Sequence, residues 1–120
     1  VIAILAAALL GGAAFAHQHD MPGMDHAQMG GMRATATNPY PPSEIRMHER
    51  MMGAIGRDAT ETWVRKMVEH HRGGIEMSQI VLRNTRDSKV RQMATKTISD
   101  QQREIANLQT WLRRNGLRAQ

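Results

Sequence analysis

Along residues 43–114 apolar side chains recur every three or four positions, the spacing of one face of an α-helix. No stretch alternates apolar and polar residues as a half-buried strand would, so the pattern predicts an all-α fold. Ser43 is a candidate N-cap for a first helix reaching about Ile55, with Gly56 as its stop. In it Ile45, His48, Met52 and Ile55 share a face, with Met51 beside it. Asp58 followed by Glu61 has the form of a capping box for a second helix running to about Arg83. There Trp63, Met67, His70, Gly74, Met77 and Val81 form one row, flanked by Val64, Val68, His71, Ile75 and Leu82. Turn residues Asn84 to Ser88 then lead into a third helix ending near Arg114, before Gly116. Its inner stripe is Val90, Ala94, Thr97, Ile98, Gln101, Ile105, Leu108 and Leu112.

Two long helices joined by a short turn predict an antiparallel hairpin, with the shorter first helix packed against it. Three helices make a thin core for a domain over residues 43–116. A fourth helix from a second copy, or a bound metal ion, would supply the missing stability.

The N-terminal part reads differently. Residues 1–16, VIAILAAALLGGAAFA, are uncharged, apolar and rich in small residues, and end in an A-x-A pattern of the kind a signal peptidase cuts. Sixteen residues fall short of the roughly 20 that span a bilayer. The expectation is a signal peptide and a periplasmic or secreted bacterial protein, with no stable membrane insertion once the leader is removed. Residues 17–42, HQHDMPGMDHAQMGGMRATATNPYPP, lack apolar periodicity and read as a flexible tail. Its last residues should be extended, since each residue before a proline is pushed out of the helical region.

The formal charge of +5 raises the question of nucleic acid. The basic residues are scattered among acids and no aromatic residues are interleaved to stack on bases, so they read as solvated helix faces. There is no cysteine, which excludes disulfides and thiolate metal sites. The chain has ten methionines and six histidines instead.

Those residues concentrate in KMVEHHRGGIEM, residues 66–77. Methionine alone fills irregular cores. An inward imidazole without partners, however, costs about 1–3 kcal/mol, so His70 and His71 need something bonded to them. Gly73 and Gly74 each cost a helix about 1 kcal/mol relative to alanine, which makes sense if a neighbouring helix or an ion needs room there. Positions three and four apart share a helix face, so Met67 can reach one point with His70 or with His71. Met77 lies two turns from His70, about 10 Å along the axis, and joins the same ion only if side chains bend inward. Otherwise it serves a second site. Met47, His48, Met51 and Met52 repeat the chemistry on the first helix.

Zinc favours cysteine, histidine and carboxylate, and calcium or magnesium needs clustered oxygens. Thioether with imidazole points to Cu(I). A di-iron or di-manganese bundle would carry Glu-x-x-His, and here the corresponding spacing is Met67-x-x-His70. In the tail Met21, Met24, Met29 and Met32 have no helical face to pack, and His17, His19 and His26 accompany them. Cleavage after Ala16 would give an N-terminal amine, two amides and the His19 imidazole, a square-planar set suited to Cu(II).

WVRKMVEHHRGGIEMSQIVL followed by DQQREIANLQTWL resembles the domain of unknown function 305 family, over about residues 43–114. The resemblance implies a ferritin-like helical bundle, frequent export and copper-binding relatives. It implies that Met67, His70, His71 and Met77 match the family's ligand motif and that Met47, His48 and Met51 match its upstream segment. Gln102, Glu104 and Ile105 fall in its second motif, with a structural role expected. Leu108 stands where many relatives carry methionine, a departure that leaves one thioether absent.

The reading that follows is an exported copper-binding protein that sequesters Cu(I) or passes it to a copper-exporting or copper-accepting envelope protein, by ligand exchange and not as an enzyme. One alternative is an envelope interaction module with a methionine-rich surface. A second is a ferritin-like metal oxidase, which the missing Glu-x-x-His disfavours.

Overall fold

The computed structural model describes residues 33–120. The leader expected over residues 1–16 and the tail ligands His17, His19, Met21, Met24, His26, Met29 and Met32 lie outside the described residues. Residues 33–38 are exposed and precede three helices: α1 (Pro41–Gly53), α2 (Ala59–Asn84) and α3 (Ser88–Arg114). No strand occurs among the described residues, so the chain is all-α there.

α1 starts earlier than expected. Tyr40 is its N-cap and sits in the helical region (φ −85°, ψ −28°) although a proline follows it. Prolines in a first turn forfeit no intrahelical bond, because those N–H groups have no partner in any helix. The Tyr40 carbonyl accepts from the N–H of Ser43 (2.8 Å) and of Glu44 (3.1 Å), which fixes the turn. Ser43 is therefore not the cap. It lies inside the helix, fully buried, and its hydroxyl donates to Glu76 Oε2 at 3.2 Å. The helix stops at Gly53, short of Ile55, where the Ala54 N–H turns back to the Met51 carbonyl at 3.3 Å.

At α2 the Asp58 cap forms as expected, accepting from the Glu61 N–H at 2.8 Å. The reciprocal half of the box is replaced. The Glu61 carboxylate accepts from the Arg57 N–H (3.1 Å) and Nε (2.8 Å) and from Arg65 Nε (2.7 Å). α3 is capped by Asp87, whose carboxylate accepts from the Val90 N–H at 2.8 Å. It ends in a Schellman turn, with Gly116 at φ +69° and the Leu117 N–H donating to the Leu112 carbonyl at 2.9 Å.

α2 is the middle helix. Pairing of His71 with Glu104 and of Gly74 with Gln101 makes α2 and α3 the expected antiparallel hairpin. α1 lies on the other flank, with Met47 over Gly73 and with Ser43, Arg46 and Arg50 on the Glu76 carboxylate. α1 and α3 both pack on α2 and not on each other. The chain returns along the hairpin, where the Gln120 side chain donates to Glu69 Oε1 (2.7 Å) and to the Arg65 carbonyl (3.0 Å). Among the described residues the buried apolar set is small: Ala54, Val64, Val68, Ala94 and Leu112. None of the three helices is long and apolar enough to cross a membrane.

Two of the expected faces are corrected. On α2 the buried row is Val64 and Val68, whereas Trp63 (59% exposed) and His70 face out. On α1 the buried positions are Pro41 and Ser43, with Ala54 just beyond the helix, while His48, Met52 and Ile55 are exposed. A helix flanked by two others buries an arc wider than one apolar stripe. That arc here takes in Glu61 and Glu69, whose charges are met by Arg57, Arg65 and Arg72.

Candidate metal site

Two of the expected ligands share a groove on the hairpin. Met67 and His71, one turn apart on α2, line an open groove of about 360 Å³ with Trp63 and, from α3, Glu104, Asn107 and Leu108. The His71 side chain is only 12% exposed. Its Nε2 lies 2.7 Å from Glu104 Oε2. An ionised carboxylate can only accept, so Nε2 carries the proton, and in the neutral ring Nδ1 is left with a lone pair. That Nδ1 is buried without a hydrogen-bond partner. An imidazole oriented by a carboxylate, with its other nitrogen free, is the usual arrangement of a metal-ligating histidine.

The other candidate residues are dispersed. His70 is exposed and is not among the residues lining this groove; its ring centroid is 5.8 Å from that of His71, with the planes at 60°. Met77 lines a different groove, with Met93 from α3. Met47 packs on Gly73, Met51 is half-buried with its carbonyl accepting from Lys66 Nζ, and His48 and Met52 are exposed. Met93 escaped sequence reading because it falls off the apolar stripe of α3. Asn107 carried no signal at all. Leu108 lines the same groove as Met67 and His71. Among the described residues no three His, Asp or Glu side chains converge on one point.

The paired glycines are explained by packing on both flanks of α2. A Cβ on Gly73 would overlap Met47 of α1, its Cβ at 2.8 Å and its Cγ at 2.5 Å. A Cβ on Gly74 would overlap the Gln101 amide of α3, with Nε2 at 2.7 Å. Gly73 thus admits the first helix and Gly74 the third, at the turn following the histidines. Gln101 Oε1 is itself buried without a partner.

Charge pairs fix the start of α2 and its packing on α1. The Arg57 and Arg65 guanidiniums, with the Arg57 N–H, hold the Glu61 carboxyl down at about 2 against a burial effect in the other direction. At Glu76 burial pushes the carboxyl up, but hydrogen bonds from Arg50, Arg46 and Ser43 outweigh it and leave it below its ordinary value. Both carboxylates lock α2, one to its own N-terminal loop and the other to α1.

Residues 7–112 match the family described as Domain of unknown function (DUF305). The chain belongs to the DUF305 family. The match takes in all of α1 and α2 and α3 as far as Leu112, and so includes every residue of the groove. It also extends upstream of Ser43, where the resemblance in the motifs began. No curated protein matches the chain.

Proposed function

We propose that this DUF305 protein binds Cu(I) as cargo, as an exported protein that sequesters the ion or passes it on. The observation that carries the reading is the His71 ring: its Nε2–H is tied to Glu104, its Nδ1 is buried without a partner, and Met67 lines the same groove. A thioether beside a neutral imidazole suits a soft monovalent ion better than zinc or a hard cation. Met67 and His71 would be the ligands, Glu104 the group that orients the imidazole, and Leu108 the apolar wall that limits water. Histidines and methionines of residues 17–32 would take the ion up or hand it to an envelope partner, and the amine and His19 of a chain starting at His17 would capture Cu(II).

The test is a Cu(I) titration of the chain against a competing chelator, beside His71→Ala and His70→Ala. Loss of a tight site in His71→Ala, with His70→Ala close to wild type, supports the reading. Equal competition by all three proteins removes the groove from copper binding.

A second reading, an interaction module, is favoured by the exposure of Trp63 next to this groove. In it a second copy supplies the fourth helix of a ferritin-like bundle, since α1 and α3 leave each other untouched. It expects concentration-dependent self-association without metal that His71→Ala does not alter.

A further inference from the structure

Residues 117–120 fold back over the hairpin, and Gln120 is bonded through its main chain and its side chain at once. Its N–H donates to Gln109 Oε1 at 2.8 Å, and its carbonyl accepts from Gln109 Nε2 at 2.6 Å and from Arg72 Nη2 at 3.0 Å. Its side-chain Nε2 donates to Glu69 Oε1 at 2.7 Å and to the Arg65 carbonyl at 3.0 Å, while its Oε1 accepts from Arg65 Nη1 at 3.4 Å. Arg65, Glu69 and Arg72 recur at helical spacing, so they form one row on α2, turned away from Met67 and His71. None of these residues lines the His71 groove.

The notch is selective in the chemistry it accepts. Gln109 turns its acceptor and its donor to the N–H and carbonyl of one residue, so it reads main chain and leaves side-chain choice to α2. There two acceptors meet the amide NH2 and one donor meets the amide oxygen. A glutamate in that place would set its carboxylate against Glu69, and an asparagine would fall one methylene short. The hold on the strap is also local. Arg118 and Ala119 are exposed, and at Gly116 (φ +69°) nothing stands within 4 Å of an added Cβ, so Gln120 can leave without disturbing a helix. Nor does the strap complete the notch. Glu69 is 5% exposed, yet its Oε2 is buried without a partner. It lines an open groove of about 300 Å³ that runs from Arg65 and Gln120 to Gly53, Ala54 and Ile55 at the end of α1. A buried carboxylate oxygen left without a donor is costly, and a segment lying along this groove can bring it an N–H.

We infer that Arg65, Glu69, Arg72 and Gln109 form a recognition notch for a glutamine residue in a peptide segment of a partner protein, a notch that Gln120 fills in cis. The strap is then a tethered competitor, held at high effective concentration by its short connection to α3. A partner segment gains entry through contacts in the groove that the strap does not make, a bond to Glu69 Oε2 first among them. No metal enters the contact, so the notch stands or falls apart from copper.

The experiment follows the Gln109 side-chain amide by NMR in the full chain labelled with nitrogen-15, titrated to millimolar with the peptide Leu-Arg-Ala-Gln, blocked at both ends, or with Leu-Arg-Ala-Glu. Gln120→Ala changes a residue outside the helices, so folding is kept. It is expected to move the Gln109 signal from its wild-type position, and the glutamine peptide is expected to bring it back. The glutamate peptide should bind about tenfold more weakly or worse, because two acceptors then face a carboxylate. Wild type, with its notch filled, should need about tenfold more glutamine peptide, or still more, for the same occupancy. A Gln109 signal that stays put in Gln120→Ala shows that the strap does not occupy the notch and overturns the proposal. So does a glutamine peptide that fails to restore the signal, or equal binding of the two peptides.

Discussion

At the scale of single residues, the site rests on how one imidazole is held. Glu104 accepts from His71 Nε2, and this fixes which nitrogen is free. Glu104→Gln keeps the shape but removes the charge. It is expected to weaken Cu(I) binding about tenfold to a hundredfold, the range typical of partners that orient a ligand, in a chelator competition. Leu108→Met places a thioether on the groove shared by Met67 and His71 and is expected to tighten binding in the same assay. The glycines make opposite demands on substitution. In a solvent-facing helix Gly→Ala gains about 1 kcal/mol, but Gly73→Ala drives a methyl into Met47 and is expected to destabilise by about 1–3 kcal/mol in thermal or urea unfolding. Gly74→Ala meets only the tip of Gln101, which can swing aside, and should lose less.

At the scale of elements, helix number, order and connection were legible in the sequence, because periodicity, the Asp58 cap, the turn before Ser88 and Gly116 are local signals. The face each helix buries was less so. His70 and His71 are equivalent by spacing to Met67, and only the position of α3 decides that His71 meets Glu104 while His70 stays in water. Ser43 has the right side chain for a cap, yet the Tyr40–Pro41 start wins because first-turn prolines forfeit no bond. Met93 was invisible for the same reason as Trp63 was misplaced: groove edges follow from packing between helices, which period alone does not encode. The α2 start carries a pH dependence. Glu61 has a carboxyl held at about 2 when folded and ordinary when unfolded. The unfolded chain therefore binds the proton first as pH falls. The stability from this carboxylate is full above about 4.5 and is lost as pH falls through about 2. Glu61→Gln should flatten that acid limb of the unfolding midpoint against pH.

At the scale of the whole molecule, three helices in a layer bury few apolar side chains. A ligand that binds only the folded chain then shifts the balance noticeably. At a hundred times its dissociation constant it adds about 2.7 kcal/mol. Cu(I) or Ag(I) should accordingly raise the melting temperature of wild type, with a smaller rise for His71→Ala, as read by circular dichroism under reducing conditions. The most direct test of the central claim is the anomalous scattering of a crystal of the full chain soaked with Ag(I). A silver peak is expected in the groove, bonded to Met67 Sδ and His71 Nδ1, with Glu104 still on Nε2. Silver found only on other residues, with Nδ1 of His71 left bare, would contradict it.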